Sequence, residues 1–340
     1  MKKTIVFTAS ILCYFLAYSQ GADNPGRAAG LTLIPRLELN PHFSPGKKGE
    51  DLYFWKDKAE TYLGNTSFYS LFEGNLSENL SFSVCNHWLS SDPASLYKNS
   101  LRSDNTNWLD WLNLTYSLGR FSITLGKDMV TTGGFEYDDY DFDVHHDLSS
   151  SFWHNFSCYQ WGGKVGITTE NEGTSFYLQM TSSPFGEHPF ASGLYNYSGQ
   201  WKGEYGPVRT IWSATAIQKA PKEYIYLFSL GQKLALGNFS FGLDYMNKVG
   251  DEENILIDGL SLLGTAGFTN SKENFELGLK GGLEKIKDGD SGFFCGASAH
   301  WFPLKGSKDL RLHSVISYNK PLDSIGVSIG AIYYFNFKVF

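Results

Sequence analysis

Apolar and polar residues alternate with a period of two along much of the 340-residue chain, most plainly at its end. From Ser328 to Phe340, apolar side chains fall at Ile329, Ala331, Tyr333, Phe335, Phe337 and Val339. Ser328, Gly330, Tyr334, Asn336 and Lys338 sit between them. A period of two marks a strand with two unlike faces. At the edge of a soluble sheet such an aromatic strand invites aggregation, whereas a barrel closed in lipid has no edge and turns its apolar face outward. Phe340 itself falls on the parity of Asn336 and Lys338, so the alternating block before it carries the argument.

The same alternation, punctuated by turn residues, predicts strands near 31–43, 66–76, 80–89, 109–118, 121–130, 156–169, 174–183 and 194–205. It continues with strands near 208–218, 224–236, 239–248, 255–268, 274–286, 292–303, 309–318 and 325–339. Gly119-Arg120, Gly206-Pro207 and Gly237-Asn238 are the kind of residues that close hairpins. Such short turns occupy every second connection, while three of the others are long: 44–65, 90–108 and 131–155. Short turns on one side and long loops on the other predict an all-β, 16-stranded antiparallel transmembrane β-barrel with periplasmic turns and both termini in the periplasm. A soluble all-β protein has the same period but no need of outward aromatics on strand after strand. Sixteen strands enclose a water-filled channel, where eight would be filled by their own side chains.

The other end of the chain sets its destination. Lys2 and Lys3 precede an apolar run from Thr4 to Leu16 and the small-x-small sequence Ala17-Tyr18-Ser19. That predicts a signal peptide over residues 1–19, leaving 20–340 as one barrel domain. The run is too short to cross a bilayer, and no later segment reaches 18 consecutive apolar residues. Composition agrees: 26 Phe, 20 Tyr, 9 Trp and 36 Gly against 11 Pro suit an aromatic, turn-rich β protein. The net charge of −7, or −9 once Lys2 and Lys3 are gone, argues against nucleic acid as a partner. Cys85, Cys158 and Cys295 remain after the leader, an odd and widely spaced set that suggests neither disulfides nor zinc.

The block from Ser328 to Phe335 resembles the C-terminal assembly signal of bacterial outer-membrane barrels. The hairpin LGRFSITLGK, Leu118 to Lys127, resembles the strand before the third loop in phosphate-selective and related porins. The resemblance to this broad porin group implies a third extracellular loop folded into the lumen, passive diffusion of small hydrophilic solutes or ions, and a homotrimer. It also implies delivery by the barrel-assembly machinery through the last strand. It is specific for the porin class and poor for phosphate.

Loop 131–155 is the third long one, with six carboxylates in twelve residues: Glu136, Asp138, Asp139, Asp141, Asp143 and Asp147. Three readings stand: a pore constriction, a solvated surface loop, or a site for a divalent cation. Its aspartates lack the Gly and Glu spacing of a helix-loop-helix calcium site. His145 and His146 are adjacent and point apart on an extended chain, so that pair does not make a metal site; no metal or other cofactor is expected. Lumen-facing parity supplies Arg36, Lys164, Lys202, Arg209, Lys233, Lys280 and Arg311 as basic partners, beside Glu38, Glu204, Asp244, Glu276 and Glu284. Rings of charge set ion preference in such pores. Seven bases against five acids, with six more acids in the loop, predict a weak preference for cations. Lys127 breaks parity with Phe121, Ile123 and Leu125, which predicts a bulge at Gly126 that turns it into the lumen. A surface receptor or adhesion barrel is the alternative function. A barrel enzyme acting on lipid is a lesser one, since His87, His300 and His313 lie on strands with no serine motif beside them.

Overall fold

Period-two alternation yields β segments that join into a single closed antiparallel sheet. In chain order they are β1 (Ala28–Leu39), β2 (His42–Phe43), β3 (Ser67–Ser77), β4 (Leu80–Ser90), β5 (Leu109–Leu118) and β6 (Phe121–Met129). Next come β7 (Tyr159–Thr168), β8 (Thr174–Ser182), β9 (Tyr195–Tyr205), β10 (Val208–Ala220), β11 (Glu223–Leu236) and β12 (Phe239–Val249). The wall is completed by β13 (Leu260–Thr269), β14 (Phe275–Lys285), β15 (Gly292–Trp301), β16 (Leu310–Asn319), β17 (Ser324–Tyr333) and β18 (Phe335–Lys338). The computed structural model describes residues 28–40, 42–43, 66–90, 109–139, 143, 145, 148–150, 159–186, 189–249, 259–285, 292–320 and 324–339. The expected leader 1–19, Phe340, the expected long loop 44–65 and all of the expected loop 90–108 but Ser90 lie outside these residues, as do Asp141, His146, Asp147 and Cys158.

From β3 to β17 each segment pairs with its neighbour in sequence, and β1 closes the ring by pairing with β3 on one side and with β17 and β18 on the other. One register runs through Gly30↔Lys338, Leu39↔Ile329 and Phe43↔Ile325, so β2 prolongs β1 and β18 prolongs β17. The barrel therefore has sixteen staves, the number that the alternation predicts. The last strand, expected as one piece over 325–339, is interrupted at Tyr334 without a change of register.

The two faces differ as the alternation requires. Leu114, Tyr116, Leu118, Phe121, Ile123, Leu125, Phe176, Leu178, Phe239, Phe241 and Leu243 are all exposed. Between them Asn113, Thr115 and Thr124 face inward: Thr115 and Thr124 share a 2.8 Å hydrogen bond, and Asn113 donates to Asp128. Aromatic rings gather at both ends of the wall, Trp201 edge-on to Trp212 near one and Tyr224 stacked on Tyr226 near the other. An apolar outer band between two aromatic rims is what a bilayer selects in a barrel. Part of the lumen is packed rather than open: Ile34, Tyr69, Cys85, Trp111, Tyr159 and Ile332 form a buried cluster with Met129 and Tyr334 against it.

The bulge expected at Gly126 is absent. The ladders from Phe121↔Ile167 to Met129↔Tyr159 and from Leu112↔Lys127 to Leu118↔Phe121 run without a shift. The extra residue is inserted one strand away, where Cys85 pairs with Trp111 and Asn86 with Leu109, leaving Asp110 of β5 between the rungs. Gly126 instead takes a φ of 133°, which bends β6 inside a regular ladder, and a Cβ there would lie 2.1 Å from the Leu112 carbonyl oxygen. Lys127 thus keeps the outward parity of Leu125. Its side chain is nonetheless buried, and its ammonium donates to the Leu109 carbonyl.

Candidate functional site

The chain that leaves β6 crosses the inner face of the barrel. The Thr131 amide donates to Gln179 Oε1 at 2.8 Å, and the Thr131 hydroxyl lies 2.8 Å from that of Ser198. Thr215 donates to Thr132 Oγ1 and Ser213 to the Gly133 carbonyl, each at 2.9 Å. A single turn of 3-10 helix, Phe135–Tyr137, follows, and the Glu136 amide donates to Asp244 Oδ2 at 2.8 Å. The contacts advance from β8 through β9 and β10 to β12. Small hydroxyl residues at inward positions of β9 and β10 leave room for the backbone: Ser213 donates to it, while Ser198 and Thr215 pair with the threonine hydroxyls, so these buried groups are satisfied.

Beyond the turn, charge takes over. Glu136 is buried and accepts from the Ser150 amide and hydroxyl and from Lys280 Nζ at 2.6 Å. Asp138 accepts from Lys202 of β9. Asp143 sits 3.2 Å from Arg311 of β16 and accepts the Tyr334 hydroxyl at 2.7 Å. Phe135 lies under Lys233, whose ammonium is 4.4 Å from the ring centre, with Arg209 on it at 5.9 Å. Asp138 and Asp143 thus reach opposite walls rather than one another. Two lumenal cavities of about 320 Å³ flank the loop. Asp128, Lys164 and Lys202 line one, and Asp139, Lys233 and Lys280 the other.

Enclosure by the surrounding wall raises the Asp139 carboxyl to about 6, against the pull of Lys233 and Lys280, while its side chain stays open to lumenal water. Burial, and then the neighbouring His300 and His313, hold the His145 imidazole well below its usual range, so it is neutral near pH 7.

Solved structures share this architecture. The outer membrane channel DcaP of Acinetobacter baumannii superposes with a TM-score of 0.60 at 11% identity, over 93% of this chain and 99% of that one. An anion-selective porin from Comamonas acidovorans gives 0.56 at 12% identity over 90% and 100%. OmpT, an outer membrane protein of Vibrio cholerae, gives 0.53 at 11% identity over 93% and 99%. No protein-family model matches the sequence, and no curated protein does. Its fold is that of the bacterial outer-membrane porins.

Within the porin fold, most of the residues singled out from sequence meet in contact pairs. Glu136 pairs with Lys280, Asp138 with Lys202, and Asp143 with Arg311. Arg36 pairs with Glu38 at 2.6 Å and Arg209 with Glu204 at 2.9 Å, pairs within the wall rather than across the lumen. Lys164 pairs with Asp128, an inward residue of β6 that sequence reasoning passed over although it shares the parity of Thr124. Lys233 lies on Phe135 near Asp139. Asp141 and Asp147 lie outside the described residues, and Lys127 stays with Leu109. Sequence reasoning set aside His145 as a pair with His146, and His300 and His313 together with His87, yet the fold gathers the rings of His145, His300 and His313, with centroids 4.9, 5.2 and 6.3 Å apart. The one legible sign was the shared inward parity of His300 and His313 on strands joined by a single turn.

Proposed function

We propose that this barrel is a channel for passive diffusion of small hydrophilic solutes or ions across the bacterial outer membrane, narrowed by loop 131–155. The carrying observation is the path of the loop, whose anchors run across the lumen from Gln179 of β8 to Arg311 of β16. A receptor could present its loops without placing one inside the barrel. Selectivity is weak in this reading, because the loop acids Glu136, Asp138 and Asp143 each face a basic wall residue at contact distance. Asp139, shared between Lys233 and Lys280, leaves a slight preference for cations. The anion-selective porin of similar fold shows that this architecture does not fix the sign.

The same reading carries a leader cleaved after Ser19, insertion by the barrel-assembly machinery through the last strand, and a homotrimer in the membrane. N-terminal sequencing of the mature protein should begin at Gln20, and chemical cross-linking in membranes should give a trimer band. Single-channel recording in planar bilayers tests the function, with reversal potentials measured in a KCl gradient. Stepwise conductance with a small cation-selective potential is expected. No conductance would leave the receptor or enzyme reading, and clear anion selectivity would overturn the role given to Asp139.

A further inference from the structure

One row of residues crosses the inner wall on four neighbouring strands. Glu38 of β1 pairs with Gly330 of β17, Gly330 with His313 of β16, and His313 with His300 of β15. Rungs of neighbouring strands lie about 4.8 Å apart, so side chains on one face of such a row can share a ligand. Gly330 is what lets the row close up. A Cβ there would stand 2.6 Å from His313 Nε2, so any larger residue would push the imidazole off Glu38. His145 of the inward loop comes down on this row from the lumen side. Its Nε2 is 3.2 Å from His300 Nε2, and donor atoms of Glu38, His145 and His313 all lie within 4.8 Å of one another.

We propose that His145, His300 and His313, with Glu38 Oε1, bind one divalent transition-metal ion of the imidazole-preferring kind, Zn2+ foremost, and that the ion ties the inward loop to the barrel wall. Two nitrogens at 2.0–2.1 Å from a tetrahedral zinc stand about 3.3 Å apart, close to the separation of His145 and His300. His313 Nε2 is 3.5 Å from Glu38 Oε1, longer than an ordinary hydrogen bond but the spacing of two ligands on one ion. The His313 side chain is fully buried: its Nε2 has only the long contact to Glu38, and its Nδ1 has no hydrogen-bond partner. Buried polar atoms left this way are costly and call for an explanation, which a bound ion supplies. Glu38 is already oriented: Arg36 holds one oxygen at 2.6 Å and Ser328 donates to the other. Such outer partners fix metal-binding carboxylates. Calcium and magnesium take oxygen ligands and fit this set poorly.

Tag-free full-length protein, folded in detergent and stripped with a chelator, can be titrated with ZnCl2 in a calorimeter and with CuCl2 in an EPR tube. One equivalent of Zn2+ should bind, and the Cu2+ spectrum should show coupling to imidazole nitrogens. His145→Ala and His300→Ala should each weaken Zn2+ by at least about tenfold, the lower end of what even an outer-shell loss costs. His87→Ala, whose ring stacks on Tyr69, should change nothing. His145 lies on the loop, and His145→Gln is a second variant should the alanine disturb it; retained heat-modifiable gel mobility certifies the barrel. No saturable equivalent in the wild type, unchanged affinity in the His145 variants, or a Cu2+ spectrum without nitrogen coupling would overturn the site. The readout is binding, so it is separable from any failure of the channel reading.

Discussion

The two halves of the inward loop are held by different physics. From Thr131 to Gly133 the contacts are hydrogen bonds between neutral groups, buried against β8, β9 and β10. From Asp138 to His145 they are ion pairs and imidazole contacts, several of them open to lumenal water. Neutral buried hydrogen bonds are nearly indifferent to salt, whereas exposed charges are screened within about 8 Å at physiological ionic strength. One half therefore sets where the loop lies, and the other can respond to the solution it filters. Glu136 stands where the two meet, since its amide is held by Asp244 and its carboxylate by Ser150 and Lys280.

The largest break follows from removing that junction. Glu136→Gln leaves Lys280 facing a neutral partner in a largely buried place, which costs about 3 kcal/mol when a buried pair is broken from one side. The loop should detach for part of the time, and single-channel records should show frequent excursions to higher conductance while heat-modifiable gel mobility stays that of a folded barrel. Unchanged records would mean that the junction holds nothing. Ser213→Ala is the counterpart in the neutral half: it strips the Gly133 carbonyl of its 2.9 Å donor and should cost about 1 kcal/mol. Its flicker rate should be the same at low and high salt.

The barrel was far more legible than the site, for a physical reason. Alternation and turn chemistry are local, and strands such as 109–118 needed only their own residues to be placed. The inward position of the loop was legible only as a resemblance, and its pairs Glu136–Lys280 and Asp143–Arg311 span more than a hundred residues of sequence. The error at Gly126 is of the same kind. Sequence parity located the disturbance near Lys127, but whether the ladder absorbs it by an inserted residue or a positive φ depends on the neighbouring strands. The histidine row needed the register of β15, β16 and β17 before it could be seen at all.

The charged half predicts a pH response. An acid raised to about 6 is neutral below that pH and charged above it, so Asp139 should gain its charge between about pH 5 and pH 7. Reversal potentials in a KCl gradient should move toward cation selectivity over that window, and Asp139→Asn should remove the change. A shift that persisted in Asp139→Asn would place the titrating charge elsewhere in the lumen.

The smallest effect belongs to the most exposed pair. Asp138 and Lys202 are each about one-third exposed at 34% and 35%, so their contact is worth at most about 0.5 kcal/mol after screening. Asp138→Asn should scarcely alter loop detachment, which is where it parts from Glu136→Gln. What it should change is the field: with Lys202 no longer balanced, cation preference falls, measurably at low ionic strength and hardly at all in molar salt. If Asp138→Asn detached the loop as Glu136→Gln is expected to, the division between an anchoring half and a filtering half would fail. If its selectivity shift survived molar salt, the pair would have to lie deeper in the low-dielectric wall than its exposure allows.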